Sequence, residues 1–301
     1  MTSSIKVTSN TDKIIFIRHN FNDSKYSAEV LQSKKLIAIH FTEQYHQSFD
    51  EYTNPSKQFR KAYNIFKKLG DKGGLVVIQY DTQSFYIGEI NHGTPILPFN
   101  VANENEPTDY FKTISISKLS DKFFYADYPL FSAIRPPFAT IATLNENSKN
   151  WIDHLYYKKP IEVLYSNLHP KMLEQMCEEW LRSDLSSEPY RIKYGLLKTG
   201  KTLPVIDIYA ETKQGKYLCV QVTLGVDKKK LFSKLKELSD YISSRQDSSN
   251  IIGLFISDEN AKHSIDQFPS IEFLSARKIF DDLQKSATHG NMVSKMMGIV
   301  C

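Results

Sequence analysis

The stretch 204–223 reads PVIDIYAETKQGKYLCVQVT and decides the fold of the second half of the chain. Apolar and polar residues alternate on either side of a Lys-Gln-Gly turn, which is typical of two paired strands. We therefore predict a β-hairpin with strands over 205–210 and 216–223. The residues that this hairpin brings to its open end, away from the turn, then determine the chemistry we expect.

Strand alternation divides the side chains of the second strand between two faces. One face carries an apolar set that should pack on a core, and the other carries Gln221 and Thr223. Asp207 can reach that second face from the neighbouring strand. A carboxylate in an apolar strand is costly to bury without a partner, so we expect a metal cation or a basic side chain near Asp207.

This pattern resembles the catalytic motif of the PD-(D/E)XK nuclease superfamily, in the Mrr-type variant whose second motif is Gln-x-Lys. The Asp of the family matches Asp207, its Gln matches Gln221, and its Lys falls on Thr223. The resemblance implies a restriction-endonuclease-like α/β domain with a central mixed sheet. It also implies hydrolysis of DNA phosphodiesters with Mg²⁺ or Mn²⁺, with Asp207 and Gln221 as metal ligands.

The superfamily carries an acidic residue on the helix before the Asp strand. The helix predicted over 169–183 offers Glu174 as this further metal ligand and Glu178 as the alternative. The element order predicted from here onward is α-β-β-β-α-β-β-α, as the superfamily core would have. Three scattered methionines in the last ten residues imply no metal site.

Thr223 cannot supply the ammonium group that the family's lysine provides, so we expect another lysine to reach the site. Lys216 in the hairpin is our first candidate. Lys213, Lys193 and the three lysines over 228–230, at the start of the next helix, are alternatives.

The helix predicted over 227–243 has Asp227 as its N-cap, an inward stripe and outward lysines, and the stripe consists of Leu231, Leu235, Leu238 and Ile242. Three lysines open this helix. They are expected to follow a nucleic-acid backbone, although a solvated helix surface is the commoner role, and they are Lys228, Lys229 and Lys230.

The first 145 residues show many short strands and one amphipathic helix over 57–69. This pattern predicts a small, mixed, barrel-like α+β domain. The order of strand, helix, Gly-rich turn and the segments LVVIQY and YIGEI resembles PUA- or EVE-type barrels. That resemblance implies recognition of DNA, with a pocket for a modified base. Aromatic residues are dense here and suit base stacking, but aromatic residues at strand positions more often form core.

Polar and Pro-rich segments suggest where the domains meet. We predict a recognition domain over 1–145, a linker over 146–168, a nuclease-like domain over 169–286 and a flexible tail over 287–301.

Composition limits the class of protein. The chain has 301 residues, of which 41% are hydrophobic and 24% charged, and its net charge is +4, so a folded and mildly basic protein is expected. Three cysteines without a CxxC spacing argue against a disulfide scaffold or a zinc ribbon and suit a reducing cytoplasm. No apolar run approaches membrane-spanning length, and GxSxG, Walker, HExxH and GxGxxG motifs are absent.

Three functions remain open at this point. The first is a restriction or defence endonuclease that cuts DNA as a homodimer, with a partner protein of a defence system as a further possibility. The second is a catalytically decayed nuclease fold that binds nucleic acid or a partner subunit. The third is a sensor whose N-terminal barrel binds a nucleotide and controls the other domain.

Overall fold

The computed structural model describes residues 14–19, 25–40, 51–103, 106–136, 140–144, 147–198, 205–224 and 227–299. Contacts divide the chain into two units, Met1–Ile161 and Glu162–Cys301. The division falls inside the stretch predicted as a linker. Both units combine helices with sheets, so the mixed α+β class predicted from the sequence is confirmed.

The described residues of unit 1 form two sheets and several helices. Its helices are α1 (Lys25–Ser33), α2 (Lys57–Lys72), α3 (Pro129–Ile134) and α4 (Asn147–Tyr157). Its strands are β1 (Ile15–Arg18), β2 (Leu36–Ile39), β3 (Gly74–Gln79), β4 (Ser84–Ile90), β5 (Leu97–Asn103), β6 (Glu106–Ser115), β7 (Lys118–Leu119), β8 (Phe123–Phe124) and β9 (Ile141–Thr143). One sheet has the order β7-β4-β3-β1-β9, with β8 also on β4, and the other has the order β2-β6-β5.

Helix α2 contributes to the main core of unit 1, together with residues from both sheets. Its apolar residues recur every three or four positions, and this stripe is buried. The side chain of Ser56 caps its first turn by accepting the Phe59 N–H. Gly73 ends the helix at a φ of +69°, a conformation that favours glycine. The helix predicted over 57–69 forms and continues through Gly70 to Lys72, so it ends three residues later than predicted.

A second group of rings explains why the predicted linker belongs partly to unit 1. Trp151 of α4 is 2% exposed, and its ring lies 5.3 Å from Phe131 of α3 in a stacked arrangement. Phe131 in turn lies 4.3 Å from Phe85 of β4. These large apolar side chains hold α4 in the unit, so residues 147–157 form a packed helix. Most strand aromatics of unit 1 are core, as expected from their positions.

Unit 2 is built around one mixed sheet of order β10-β11-β12-β13-β14. The pairs β10·β11 and β11·β12 are antiparallel, and β12·β13 and β13·β14 are parallel. The strands are β10 (Ile192–Lys198), β11 (Ile208–Thr212), β12 (Tyr217–Val222), β13 (Ile251–Ser257) and β14 (Ile271–Ser275). The helices are α5 (Pro170–Arg182), α6 (Lys228–Ser243), α7 (Lys262–Ile265), α8 (Ala276–Lys285) and α9 (Met292–Met296).

The element order α5-β10-β11-β12-α6-β13-β14-α8 confirms the predicted succession, with the short α7 inserted before β14. The hairpin forms, but β11 begins at Ile208, so Asp207 lies immediately before the strand. Its backbone N–H still donates to the Val220 carbonyl at 2.8 Å, which continues the ladder by one residue. The predicted strand 205–210 is corrected in this respect.

Both faces of β12 are buried. Cys219 belongs to a core cluster with four inward residues of α6, namely Leu231, Leu235, Leu238 and Ile242. Leu218 and Val220 on the other face are also fully buried. Helix α5 contacts β12, and α8 contacts β13. Asp227 caps α6 through its carboxylate, as predicted.

The stretch predicted as a flexible tail contains α9, which contacts α5. Val293 and Met297 are both buried, at 0% and 1% exposure. Their spacing of four residues places them on one helix face, which is why this short segment packs.

Candidate active site at the open end of the hairpin

Asp207 and Gln221 meet at the open end of the β11–β12 hairpin. The register pairs Ile208 with Val220, which places Asp207 opposite Gln221. Gln221 Nε2 donates to Asp207 Oδ2, and the Val222 backbone N–H donates to the same oxygen at 2.8 Å. The two motif residues predicted to meet are therefore in direct contact, and the carboxylate is held in a fixed orientation.

The environment of Asp207 disfavours its charged form. Burial raises the pKa of Asp207 above its usual value, the Val222 N–H opposes this rise, and the carboxylate of Glu174 adds to it. Lys234 and Lys171 act in the opposite direction, so both ammonium groups are near enough to affect the pKa of Asp207 electrostatically. The site thus holds a partly buried acid that a further cation would stabilise.

Lys234 of α6 contacts Thr223, the residue on which the lysine of the resembled motif falls. Its Nζ donates to Thr223 Oγ1 at 2.7 Å. The Thr223 N–H donates to the Ile256 carbonyl at 2.9 Å, which fixes Thr223 at the end of β12. Thr223 is 4% exposed, so the lysine reaches a buried hydroxyl next to the Asp207–Gln221 pair.

Sequence reasoning missed Lys234 because it placed every lysine of α6 on the outer face. The helical spacing contains the signal that could have found it. Lys234 lies between Leu231 and Leu235, both buried, and is itself only half-buried, at the margin of the apolar stripe. A lysine at such a margin can extend its long stem along the core and present its ammonium group at the edge of the sheet.

The lysines expected in the hairpin lie at its other end. Lys216 precedes β12, and its backbone N–H donates to Thr212 Oγ1. Thr223 lies seven positions further along the extended chain, which corresponds to about 23 Å. Lys213 is an exposed turn residue, and Lys193 pairs with Glu211 at 3.9 Å. The structure therefore does not bring these lysines to Asp207.

The two helix glutamates differ in their surroundings. Glu174 is bonded to Lys171 at 2.8 Å and raises the pKa of Asp207 by its charge. Glu178 is paired with Arg182 at 2.7 Å, and this pair lies close to Gly195 of β10. Glu174 is therefore the glutamate that shares a site with Asp207.

The basic run at the start of α6 is exposed. Lys228, Lys229 and Lys230 occupy the first turn of the helix that carries Lys234. Lys230 donates its backbone N–H to the Asp227 carboxylate at 2.9 Å, so the run is anchored by the helix cap. The helix therefore presents positive charge both to solvent and to the site.

The oxygen donors near Asp207 suit a hard divalent cation. The carboxylate of Glu174 acts electrostatically on that of Asp207, and Gln221 adds an amide group. Mg²⁺ is commonly held by one or two carboxylates and completes its shell with water and substrate phosphate. Among the described residues no group of three or more His, Cys, Asp or Glu side chains could hold a metal ion. The donor set thus fits a Mg²⁺ or Mn²⁺ site of that open kind and does not form an all-protein cage.

No protein-family model matches the chain, and no curated protein matches it in sequence. Similar solved structures include the EndoMS-dsDNA2 complex, with 11% identity and a TM-score of 0.25 over 80% of this chain and 96% of that one. A repair endonuclease from Pyrococcus abyssi has 12% identity and a TM-score of 0.21 over 80% of this chain and 98% of that one. Superpositions this loose support no inference about this chain, so its function is inferred from its own residues.

In the part of the chain that the structure describes, no helix has the length and apolar character needed to cross a membrane.

Proposed function

We propose that this protein is a metal-dependent endonuclease that hydrolyses DNA phosphodiesters at the open end of the β11–β12 hairpin. One observation carries the proposal. Lys234 reaches Thr223 at 2.7 Å, beside the hydrogen-bonded pair of Asp207 and Gln221. An acid, a polar amide and a lysine are thus together where the resemblance requires Asp, Gln and Lys, although the lysine comes from a helix.

Each side chain has a distinct role in this proposal. Asp207 and Glu174 would hold the divalent cation, and the chemistry that such an ion would supply when bound is Lewis-acid activation of phosphate and water. Gln221 fixes the orientation of the Asp207 carboxylate. Lys234 places a positive charge where negative charge develops on the phosphate, and Thr223 positions that ammonium group.

The charge distribution of α6 supports a nucleic-acid substrate. Lys228, Lys229 and Lys230 are exposed on the helix that carries Lys234, so one helix can contact the backbone and the reacting phosphate. Each such contact releases condensed counterions and makes binding dependent on salt. Unit 1 would then recognise the DNA, with a modified base as its target.

Cleavage of both strands of a duplex requires two such sites, so we propose a homodimer as the active form. A role in restriction or defence, with a partner protein of such a system, belongs to the same proposal. The alternative of a nuclease fold without catalysis retains DNA binding and predicts no cleavage.

Incubation of supercoiled plasmid with the full-length protein tests the proposal. We expect nicked and linear products with Mg²⁺ or Mn²⁺ and none with EDTA. Asp207→Ala should abolish cleavage, whereas Glu211→Ala, at the turn end of the same hairpin, should cleave at the wild-type rate. Equal cleavage by wild type and Asp207→Ala would remove Asp207 from the mechanism. Plasmid binding without cleavage in either metal would favour the non-catalytic alternative.

A further inference from the structure

The carboxyl ends of β12, β13 and β14 form a row that continues the sheet edge beyond the candidate site. Val222 lies beside Ile256 in register, and Thr223 therefore comes level with Ser257, the next residue of β13. Ser257 in turn lies beside Ser275, the last residue of β14. Neighbouring strands are about 4.8 Å apart, so Ser275 is about 10 Å from Thr223 along this edge. A long ligand bound at Thr223 can therefore reach the residues that follow β13 and β14.

Arg277 lies two residues beyond this row, in the first turn of α8, and is exposed. Its guanidinium carbon is 4.5 Å from the centroid of the Tyr165 ring. The hydroxyl of that tyrosine donates to Asp258 Oδ1 at 2.6 Å, and Asp258 directly follows Ser257. A hydrogen bond therefore fixes Tyr165 at the end of β13, and its ring holds the guanidinium at the sheet edge.

The stacked guanidinium keeps its N–H groups available. Stacking uses the face of a guanidinium, whereas its N–H groups point outward in the plane. Within the described ranges of the chain, no hydrogen bond or ion pair involves Arg277, so no described acid neutralises it at close range. A planar fork of this kind donates two parallel hydrogen bonds to the oxygens of a phosphate. Arg277 can therefore bind a phosphate without first breaking a polar bond within the protein.

The first turns of α6 and α8 both carry basic side chains where the chain leaves this edge. Helix α6 follows β12 and α8 follows β14, and their exposed basic residues are Lys228, Lys229, Lys230, Arg277 and Lys278. Beyond the cap residue, neither first turn contains an acidic side chain. The positive end of the helix dipole favours acids at this position, so helix stability does not explain these bases. They suit an anionic partner along the edge, which the helix N-termini also attract.

We infer that Arg277 binds a phosphate of the DNA backbone, with Tyr165 as its positioning residue. The inference rests on the proposed function, because it extends the path of the DNA along the edge at which Asp207 lies. Ser275 is about 10 Å from Thr223, and each nucleotide takes about 3.4 Å of the duplex axis. The phosphate at Arg277 is therefore about three nucleotides from the one at Lys234.

Fluorescence anisotropy with a short fluorescein-labelled DNA duplex, measured on the full-length protein in EDTA, tests the inference. Arg277→Gln removes one phosphate contact, so we expect binding to weaken at least about fivefold and the salt dependence to fall by about one counterion. The matched control is Lys285→Gln, an exposed basic residue at the other end of α8. It should bind within about twofold of wild type, with the same salt dependence.

Tyr165→Leu tests the positioning role of the ring. We expect it to weaken duplex binding in the wild-type background and to have no further effect in the Arg277→Gln background, since the ring acts through the guanidinium. A purely structural role would weaken binding equally in both backgrounds. Tyr165→Phe keeps the ring and loses the bond to Asp258, so its affinity should lie between those of wild type and Tyr165→Leu.

The inference is overturned if Arg277→Gln binds the duplex as tightly as Lys285→Gln, or if wild type does not bind the duplex. Should Tyr165→Leu fail to fold by circular dichroism, Arg277→Lys takes its place. This variant keeps the charge and loses the planar fork, so it should bind more weakly than wild type. Failure of the nuclease proposal looks different: Asp207→Ala would cleave plasmid like wild type, while duplex binding in EDTA would still depend on Arg277.

Discussion

The two ends of the β11–β12 hairpin contain the same kinds of residue in different environments. At the turn end, exposed Lys193 pairs with half-buried Glu211 in a largely exposed contact at 3.9 Å, and Lys216 is exposed. At the open end, Asp207 is held by two donors and Lys234 reaches a buried hydroxyl. Exposed pairs of this kind contribute little, whereas partial burial strengthens electrostatic interactions. The comparison shows that burial, and not the presence of acids and lysines, distinguishes the candidate site.

The largest difference between the two ends should appear when their lysines are exchanged for an uncharged side chain of similar length. Lys234→Met removes the ammonium group beside Thr223, and we expect the single-turnover rate of DNA cleavage to fall by about 10²–10³. Lys216→Met at the turn end should leave the rate within about twofold. Similar rates for the two variants would show that Lys234 has no special role.

A second variant asks whether the strand can supply the lysine again. In the Lys234→Met background, Thr223→Lys places a lysine directly after β12, where the motif has one. We expect this double variant to cleave DNA about ten times faster than Lys234→Met alone. Recovery should be incomplete, because Thr223 is buried and a longer side chain must displace its neighbours. Thr223→Val in the same background is the control and should recover nothing. If the lysine variant cleaves DNA no faster than the valine variant, a lysine at position 223 does not replace Lys234.

A smaller effect concerns stability and pH. Burial raises the pKa of Asp207, so the native state keeps this proton at pH values where the unfolded chain has lost it. The contribution of this group to stability is therefore fully present below its unfolded pKa, which lies near 3.8, and is lost as pH rises through the folded pKa. Asp207→Asn avoids this loss. We expect it to melt a few degrees above wild type at neutral pH in EDTA, and the difference should shrink as pH falls toward about 4.

Asp247, on the turn side of the same sheet, has a pKa that is shifted in the opposite direction to that of Asp207, so it serves as a comparison in the same melting experiment. The pKa of Asp247 is lowered by its hydrogen bond with Arg245, so its ionised form favours the folded state above its unfolded pKa. Asp247→Asn should not raise the melting temperature at neutral pH. If Asp207→Asn and Asp247→Asn shift the melting temperature alike, burial of Asp207 is not the cause.

The sequence predicted the features that depend on residues close together along the chain. Alternation along 216–223 predicted the second strand and the meeting of Gln221 with Asp207, and the structure has both. Helical spacing predicted the buried stripe of α6, and Asp227 predicted where that helix begins. These features depend on periods of two and 3.6 residues, which can be read from one chain.

The contact of Lys234 with Thr223 was not predicted, because it depends on how a helix packs on a sheet. The two residues are eleven positions apart and belong to different elements, and no local pattern fixes which side chain at the helix margin reaches the strand. Glu174 was predicted ahead of Glu178 from the resemblance alone. Helical spacing places both on one face, so the packing of α5 decides their neighbours.

We propose that the partly buried Asp207 carboxylate binds a divalent cation. Titration of the full-length protein with Mn²⁺, followed by the loss of the free-ion electron paramagnetic resonance signal, tests it most directly. We predict one bound Mn²⁺ per chain in wild type and in Glu211→Gln, and loss of that binding in Asp207→Asn. Undiminished Mn²⁺ binding by Asp207→Asn, or no binding by wild type, would contradict the account.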